Sequence, residues 1–231
     1  KFFFKLGLKD TPNKLKKHDK DIPLVGGILF LLVILISSPF IHFDNYTNIY
    51  LLIIFIIIGI WDDIKDLNPN FKFFITLFAL ILIVSLDKNL QITLISFESF
   101  HNFFIPNNKY LNILIPTFCL MLLLNAFNMS DGINGLASII FLSWSFYLIV
   151  KFPPLINTLF PLILSVFFFL YFNLNNQTFL GDGGNYLLSM ILGSIVIKLN
   201  NLEVEILFAE EIFLLFLIPG IDLLRLFITR I

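Results

Sequence analysis

Apolar residues run along this chain in stretches of twelve to eighteen with short polar breaks between them, as in Ile49–Ile60, Phe71–Leu86, Leu111–Leu124 and Leu155–Phe172. A helix that crosses a bilayer needs about 17–25 mostly apolar residues. The pattern predicts eight spans, at about 24–41, 49–60, 72–86, 111–126, 136–150, 155–172, 186–199 and 206–221. The second and third are short for full spans. Residues 87–110 are more polar, carry Glu98 and His101, and are expected to form an interfacial excursion rather than a span.

Composition narrows the class. Of 231 residues 58% are apolar and 13% charged, with a mean hydropathy of +0.93, whereas a soluble domain carries about 25% charged residues. The expected fold is all-α, a polytopic transmembrane helix bundle forming a single integral-membrane domain over 1–231. The chain starts at Lys1 and stops at Ile231 directly after an apolar segment, so it is expected to be a fragment at both ends. Its one cysteine, Cys119, lies inside an apolar stretch and rules out a disulfide framework within the chain. It reads as a packing residue.

Net charge, at -1, says less than where the charges fall. Loops rich in Lys and Arg stay on the cytoplasmic side, and residues 1–22 carry Lys1, Lys5, Lys9, Lys14, Lys16, Lys17 and Lys20. Alternating from there, the cytoplasmic loops gain Lys65, Lys72, Arg225 and Arg230, while Lys88, Lys109, Lys151 and Lys198 fall on the other side. Three polar clusters then share the cytoplasmic face. They are Trp61-Asp62-Asp63-Ile64-Lys65-Asp66, Asn125-Ala126-Phe127-Asn128-Met129-Ser130-Asp131-Gly132-Ile133-Asn134-Gly135, and Gly181-Asp182-Gly183-Gly184-Asn185.

Each cluster has a bland reading beside a chemical one. Asp62 and Asp63 close an apolar helix, where adjacent carboxylates meet the unfavourable end of the helix dipole; they either end a span in a solvated loop or serve a cation or a proton transfer. Asn125, Asn128 and Asp131 recur every three residues, the spacing that puts side chains on one helix face. They form a cap and turn, or they offer oxygens to a ligand, and polar groups this dense beside a span are expensive unless used. Asp182 reads as the N-cap of the helix that follows, with its carboxylate towards a cation, and the glycines beside it expose backbone N–H groups of the kind that bind phosphate. His18 and Gly26-Gly27 close the basic N-terminal segment, whose lysines read equally as residues held at an anionic lipid surface. Asp and Asn oxygens suit Mg²⁺, which bridges protein carboxylates and substrate phosphates. Acids at span ends on one face, without an internal repeat, argue against a secondary transporter, which keeps ionisable groups near the bilayer midplane.

The chain resembles the polyprenyl-phosphate N-acetylhexosamine-1-phosphate transferases, glycosyltransferase family 4. Four motifs carry the likeness in order: His18 with Ile22-Pro23-Leu24-Val25-Gly26-Gly27, then Trp61-Asp62-Asp63, then Asn125 to Leu136, then Phe179-Leu180-Gly181-Asp182. The first and third look like the undecaprenyl-phosphate N-acetylglucosaminyl-1-phosphate branch. The resemblance implies transfer of a sugar-1-phosphate, N-acetylglucosamine-1-phosphate first, from a UDP-N-acetylhexosamine to undecaprenyl phosphate, with release of UMP, for cell-envelope glycans. It implies Asp62 and Asp63 as the catalytic pair and Asp182 with Asn128 as contacts of Mg²⁺, Mn²⁺ being the alternative ion. Asn125, Asp131, Asn134, Asn173 and His18 are the implied substrate-binding residues. Membrane lipid is an expected partner, a homodimer is left open, and nucleic acid is not expected. The implied location is the bacterial inner (plasma) membrane, multi-pass, with the site towards the cytoplasm. Asn185 stands where the family often has Ser, and Asn134 where many members have Asp. A first transmembrane helix and a His-rich cytoplasmic loop are expected to lie outside the chain, with reduced activity or a non-catalytic homologue as the consequence.

Overall fold

The computed structural model describes residues 2–12, 20–38, 49–98, 102–105, 108–202 and 206–230. A bilayer interior offers no water to backbone N–H and C=O groups, so a chain this apolar must satisfy them within its own elements. Helices accordingly dominate: α1 (Phe2–Lys5), α2 (Gly26–Ser37), α3 (Ile49–Lys65), α4 (Pro69–Leu86), α5 (Lys109–Ser130), α6 (Leu136–Lys151), α7 (Ile156–Leu174), α8 (Gly181–Asn200) and α9 (Ala209–Arg230). Each of the eight apolar stretches coincides with one helix from α2 to α9, although residues 39–41 of the first lie outside the described residues. Three helical segments among those described are long and apolar enough to cross a membrane, Pro69–Leu86, Lys109–Ser130 and Pro153–Leu174. Gly26–Ser37 and Leu136–Lys151 are apolar but shorter.

Helix starts follow local chemistry. Asn68 accepts a hydrogen bond from the Asn70 N–H at 3.0 Å, and Pro69 takes the first position of α4, where a missing N–H costs nothing. Asn108 does the same for Tyr110 at the start of α5. Two short antiparallel ribbons qualify the all-α expectation. β1 (Lys9–Asp10) pairs with β2 (Ile22–Pro23), and β3 (Leu94–Ile95) pairs with β4 (Phe103–Phe104) inside the expected excursion. His101 of that excursion lies outside the described residues.

The bundle is built around α8, which is buried from Gly183 to Asn200 and packs most extensively on α3, then on α2 and α5. Glycines allow this. A Cβ on Gly59 of α3 would lie 2.6 Å from both the Cα and the N of Gly183, and one on Gly27 of α2 would lie 2.9 Å from the Gly183 carbonyl carbon. Three backbones therefore meet where a side chain would hold them apart. Gly59→Val should lower stability by the upper part of the roughly 1–3 kcal/mol seen for overpacking, because backbone rather than a rotatable side chain opposes it. Thermal unfolding in detergent checks this; an unchanged midpoint would mean that the helices separate freely here.

The two ends of the bundle differ. At one end Lys151 pairs with Glu211, which also accepts from the Tyr147 hydroxyl at 2.6 Å, and Lys198 lies 3.8 Å from Asp87. Asn200 there donates to the Leu94 carbonyl at 2.8 Å, and Asn201 to those of Asn89 and Gln91. At the other end α3, α5 and α7 finish while α4, α6 and α8 begin, and all three polar clusters gather there.

Candidate active site

A cleft of about 880 Å³ opens at that end. Among the described residues its lining includes Asp10, Asp62, Asp63, Asp66, Asp131 and Asp182, six acidic side chains, against one cationic side chain, Lys9, which is paired with Asp21 at 2.6 Å. The N-terminal segment forms part of the wall. β2 is held to the loop before α8 by hydrogen bonds from the Phe179 N–H to the Pro23 carbonyl (3.0 Å) and from the Val25 N–H to the Phe179 carbonyl (3.1 Å). Through β1, this brings Gly7, Lys9, Asp10 and Thr11 to the cleft.

The two adjacent acids at the end of α3 do different things. Asp63 accepts the backbone N–H groups of Asp182 (2.8 Å) and Gly183 (3.1 Å), one on each carboxylate oxygen. It therefore caps α8 from a neighbouring helix, and Gly181, at φ +72, leaves room for it: a Cβ there would meet Asp63 Oδ2 at 2.8 Å. This revises two sequence expectations. Asp182 lies inside the first turn of α8 rather than capping it, and the 182 and 183 amides are spent on Asp63 rather than open to phosphate. Burial pushes the Asp63 carboxyl up to about 6 in spite of those two donors.

Asp62 accepts from the Leu67 N–H at 2.9 Å with one oxygen and from the Lys72 ammonium at 2.7 Å with the other. The same ammonium donates to Asp182 Oδ2. Asn128 completes the group: its amide nitrogen donates to Asp182 Oδ1 at 2.8 Å and its oxygen accepts from Lys72 at 3.3 Å, the orientation that satisfies both atoms. Burial raises Asp182 well above the ordinary carboxylate range, and the Asp62 and Asp63 carboxylates raise it further against the pull of Lys72. Asp62 is also desolvated, but hydrogen bonds from Asp182 and Lys72 outweigh that and hold it below its usual value.

The third cluster member, Asp131, follows α5 and accepts from the Asn185 amide at 3.0 Å; burial pushes it up to about 7, that bond offsetting part of the rise. Asn134 lines the cleft and donates to Asn176 at 2.6 Å across its rim. Asn173 is 1% exposed and acts as an internal clip, accepting from the Gly135 N–H (2.6 Å) and donating to the Thr178 carbonyl (2.9 Å). Asn125 donates to the Met121 carbonyl of its own helix and does not line the cleft. His18 lies outside the described residues. Of the nine residues implied from sequence, six thus converge: Asp62, Asp63, Asp182, Asn128, Asp131 and Asn134.

Sequence reasoning missed Lys72, treating it as a boundary residue. The signal was present, since a lone ammonium at the head of an apolar stretch is expensive unless paired. It also passed over Asp66 and Asn176, both of which line the cleft with left-handed backbones unusual for non-glycine residues (φ 48° and 55°).

Among the described residues no three of His, Cys, Asp and Glu form a ready-made metal cluster. The donor set nevertheless fits a hard divalent ion that keeps much of its water and takes one or two carboxylates. Asp62 and Asp182 supply the carboxylates and Asn128 an amide oxygen, already gathered around one ammonium.

Comparison with known proteins gives a consistent picture. The sequence profile described as glycosyl transferase family 4 matches residues 46–200. Among curated relatives, the phospho-N-acetylmuramoyl-pentapeptide-transferase of Petrotoga mobilis is 28% identical over 202 residues, covering 82% of this chain and 64% of its own length. That of Buchnera aphidicola subsp. Acyrthosiphon pisum is 31% identical over 232 residues, covering 84% and 64%. That of Borrelia turicatae is 30% identical over 244 residues, covering 87% and 66%. The chain spans just under two thirds of the length of these relatives. All three carry the muramoyl-pentapeptide name, not that of the N-acetylglucosaminyl branch to which the first and third motifs were likened.

Proposed function

The chain belongs to glycosyl transferase family 4, and from that premise we propose that it serves in transferring a sugar-1-phosphate from a UDP-N-acetylhexosamine to undecaprenyl phosphate. In this reaction an oxygen of the lipid phosphate attacks the sugar-bearing phosphorus of the donor. The bond between the two donor phosphates breaks, UMP leaves with that electron pair, and a lipid-linked diphosphate sugar remains. The observation that carries the reading is the meeting of Asp62, Asp182, Asn128 and Lys72 beside a cleft lined by six acidic side chains. Among the described residues the cleft is acidic, and a cation between these side chains and a diphosphate or lipid phosphate would relieve their repulsion.

Mg²⁺ is the ion of choice, with Mn²⁺ able to replace it; held by Asp182 and Asn128 with Asp62 close by, it would supply charge neutralisation to the phosphates. The chain's own residues do the rest. Asp63 fixes the start of α8, and hence where Asp182 points. Lys72 offers an ammonium to phosphate oxygens. Asp62 orients the incoming lipid phosphate rather than deprotonating it, because a phosphate monoester with a second pKa near 6 is already mostly dianionic at neutral pH, and positioning dominates phosphoryl transfer. Asn134 and Asn176 offer amides to the nucleotide at the cleft rim. The reading extends to a multi-pass protein of the bacterial inner membrane with this cleft towards the cytoplasm, as the lysine-rich N-terminal segment supports.

For the donor sugar we favour N-acetylglucosamine, on the Ile22-Pro23-Leu24-Val25-Gly26-Gly27 segment. The names of the relatives make UDP-N-acetylmuramoyl-pentapeptide the competing donor. The full-length gene product, given undecaprenyl phosphate and each donor in turn, should release UMP with UDP-N-acetylglucosamine in Mg²⁺ and not in EDTA. Faster release with the muramoyl-pentapeptide donor would overturn the sugar assignment and keep the reaction; no UMP from any UDP-N-acetylhexosamine would overturn the reaction itself.

A further inference from the structure

Lys72 stands in a cage of oxygens drawn from three other helices. Asp62 Oδ2 of α3 lies 2.7 Å from the ammonium and Asn128 Oδ1 of α5 lies 3.3 Å from it, while Asp182 Oδ2 of α8 makes the closest contact. An ammonium has three N–H donors and no acceptor, so these three oxygens saturate it. They are also the carboxylate and amide oxygens that a hard divalent ion prefers. The side chain is only 20% exposed, and an ammonium so far from water is held by its partners rather than by solvent.

We propose that Lys72 is a built-in competitor for the divalent cation: it occupies the cation's oxygen cage in the metal-free protein and must leave it for the cation to enter. The inference rests on the metal-dependent reading above and adds a sequence of events to it. A +2 ion and an ammonium cannot share Asp62 and Asp182 at these separations, because their repulsion in a partly buried site is large. The displaced ammonium has places to go. The face of the Tyr186 ring, already 5.5 Å from it, can keep its cation–π contact when the oxygens are lost, and an anionic substrate in the adjoining cleft offers phosphate oxygens. A diphosphate that takes up the ammonium therefore frees the cage, so donor and metal each tighten the binding of the other, as linkage requires. Without donor, the metal binds against the lysine and binds weakly.

The test uses Mn²⁺ as a paramagnetic probe on the full-length protein in detergent, with no substrate present. Electron paramagnetic resonance titration should show Lys72→Met binding Mn²⁺ at least about tenfold more tightly than the wild type, a factor equivalent to about 1.4 kcal/mol. A folded Lys72→Met that binds Mn²⁺ equally or more weakly overturns the proposal while leaving the metal-dependent reading intact. If neither protein binds Mn²⁺ at millimolar concentration, the metal itself falls, and this inference with it. A second measurement needs no variant. Amine acylation at Lys72, followed by mass spectrometry in the wild type, should accelerate severalfold when Mn²⁺ is added, because the ammonium has been expelled from its cage; unchanged or slower labelling overturns the proposal even if Lys72→Met fails to fold.

Discussion

Asp182→Ala is expected to lower UMP release by about 10³-fold, the scale on which removal of a group that stabilises transition-state charge is felt. The expectation follows from the position of the side chain rather than its charge alone. Asp182 Oδ1 accepts from Asn128 while Oδ2 meets Lys72, so both oxygens belong to the cage and no other residue replaces them. The fold should survive, because the bond that anchors this turn uses the backbone N–H of residue 182, which alanine retains. Thermal unfolding should thus move little while turnover collapses. Turnover within tenfold of wild type at saturating Mg²⁺ would remove Asp182 from the chemistry.

Much of this architecture was readable in the sequence, for a physical reason. In a bilayer, length and apolarity suffice to specify a helix, and the eight stretches reappear as α2 to α9. Charge asymmetry between loops then placed the Asp, Asn and Gly clusters together, and they do share one end of the bundle. Division of labour inside the cluster was not readable, because it depends on contacts between residues far apart in the chain. Lys72 meets Asp182 across 110 positions, and Asp63 meets the 182 and 183 amides across 119 and 120. Periodicity carries no information at that range. Asn173 illustrates the limit from the other direction. Its residue type and its place beside the cluster suited a ligand-binding amide, yet both its polar atoms are consumed in joining the turn at Gly135 to the loop at Thr178. The cleft wall at Gly7 to Thr11 was invisible for a related reason: a two-residue ribbon is too short to leave a pattern, and it is fixed by its attachment through Pro23 to Phe179.

The neighbours Asp62 and Asp63, which sequence treats as one catalytic pair, should separate cleanly when each is changed to asparagine. Asp62→Asn keeps an oxygen for the Leu67 N–H and turns its NH₂ group towards Lys72, but that ammonium retains Asp182 and Asn128 as partners, so the fold loses little. Turnover should fall by at least about 10²-fold, as for loss of one preorganised electrostatic contact, with an unfolding midpoint close to wild type. Asp63→Asn is harsher on the fold. Each carboxylate oxygen accepts a backbone N–H from the start of α8, and an amide can accept only one, because its NH₂ group opposes the second donor. Losing a charge-assisted bond and leaving a buried N–H unsatisfied costs about 2–3 kcal/mol, and the shifted α8 start carries Asp182 out of register, so turnover falls as well. The acidity of Asp63 sharpens the contrast. Because burial raises it to about 6, the folded protein binds that proton more tightly than the unfolded chain does, so wild-type stability from this group is full below pH 4 and declines as pH rises through 6. Asp63→Asn abolishes that decline, whereas Asp62→Asn removes one minor cause of the raised pKa and only lessens it, burial of Asp63 being the larger cause. Unfolding midpoints of the three proteins between pH 4 and 8, set beside their turnover, decide the matter: equal stability and equal pH slopes in the two variants would show that Asp63 does not anchor α8 and would return both acids to a single shared role.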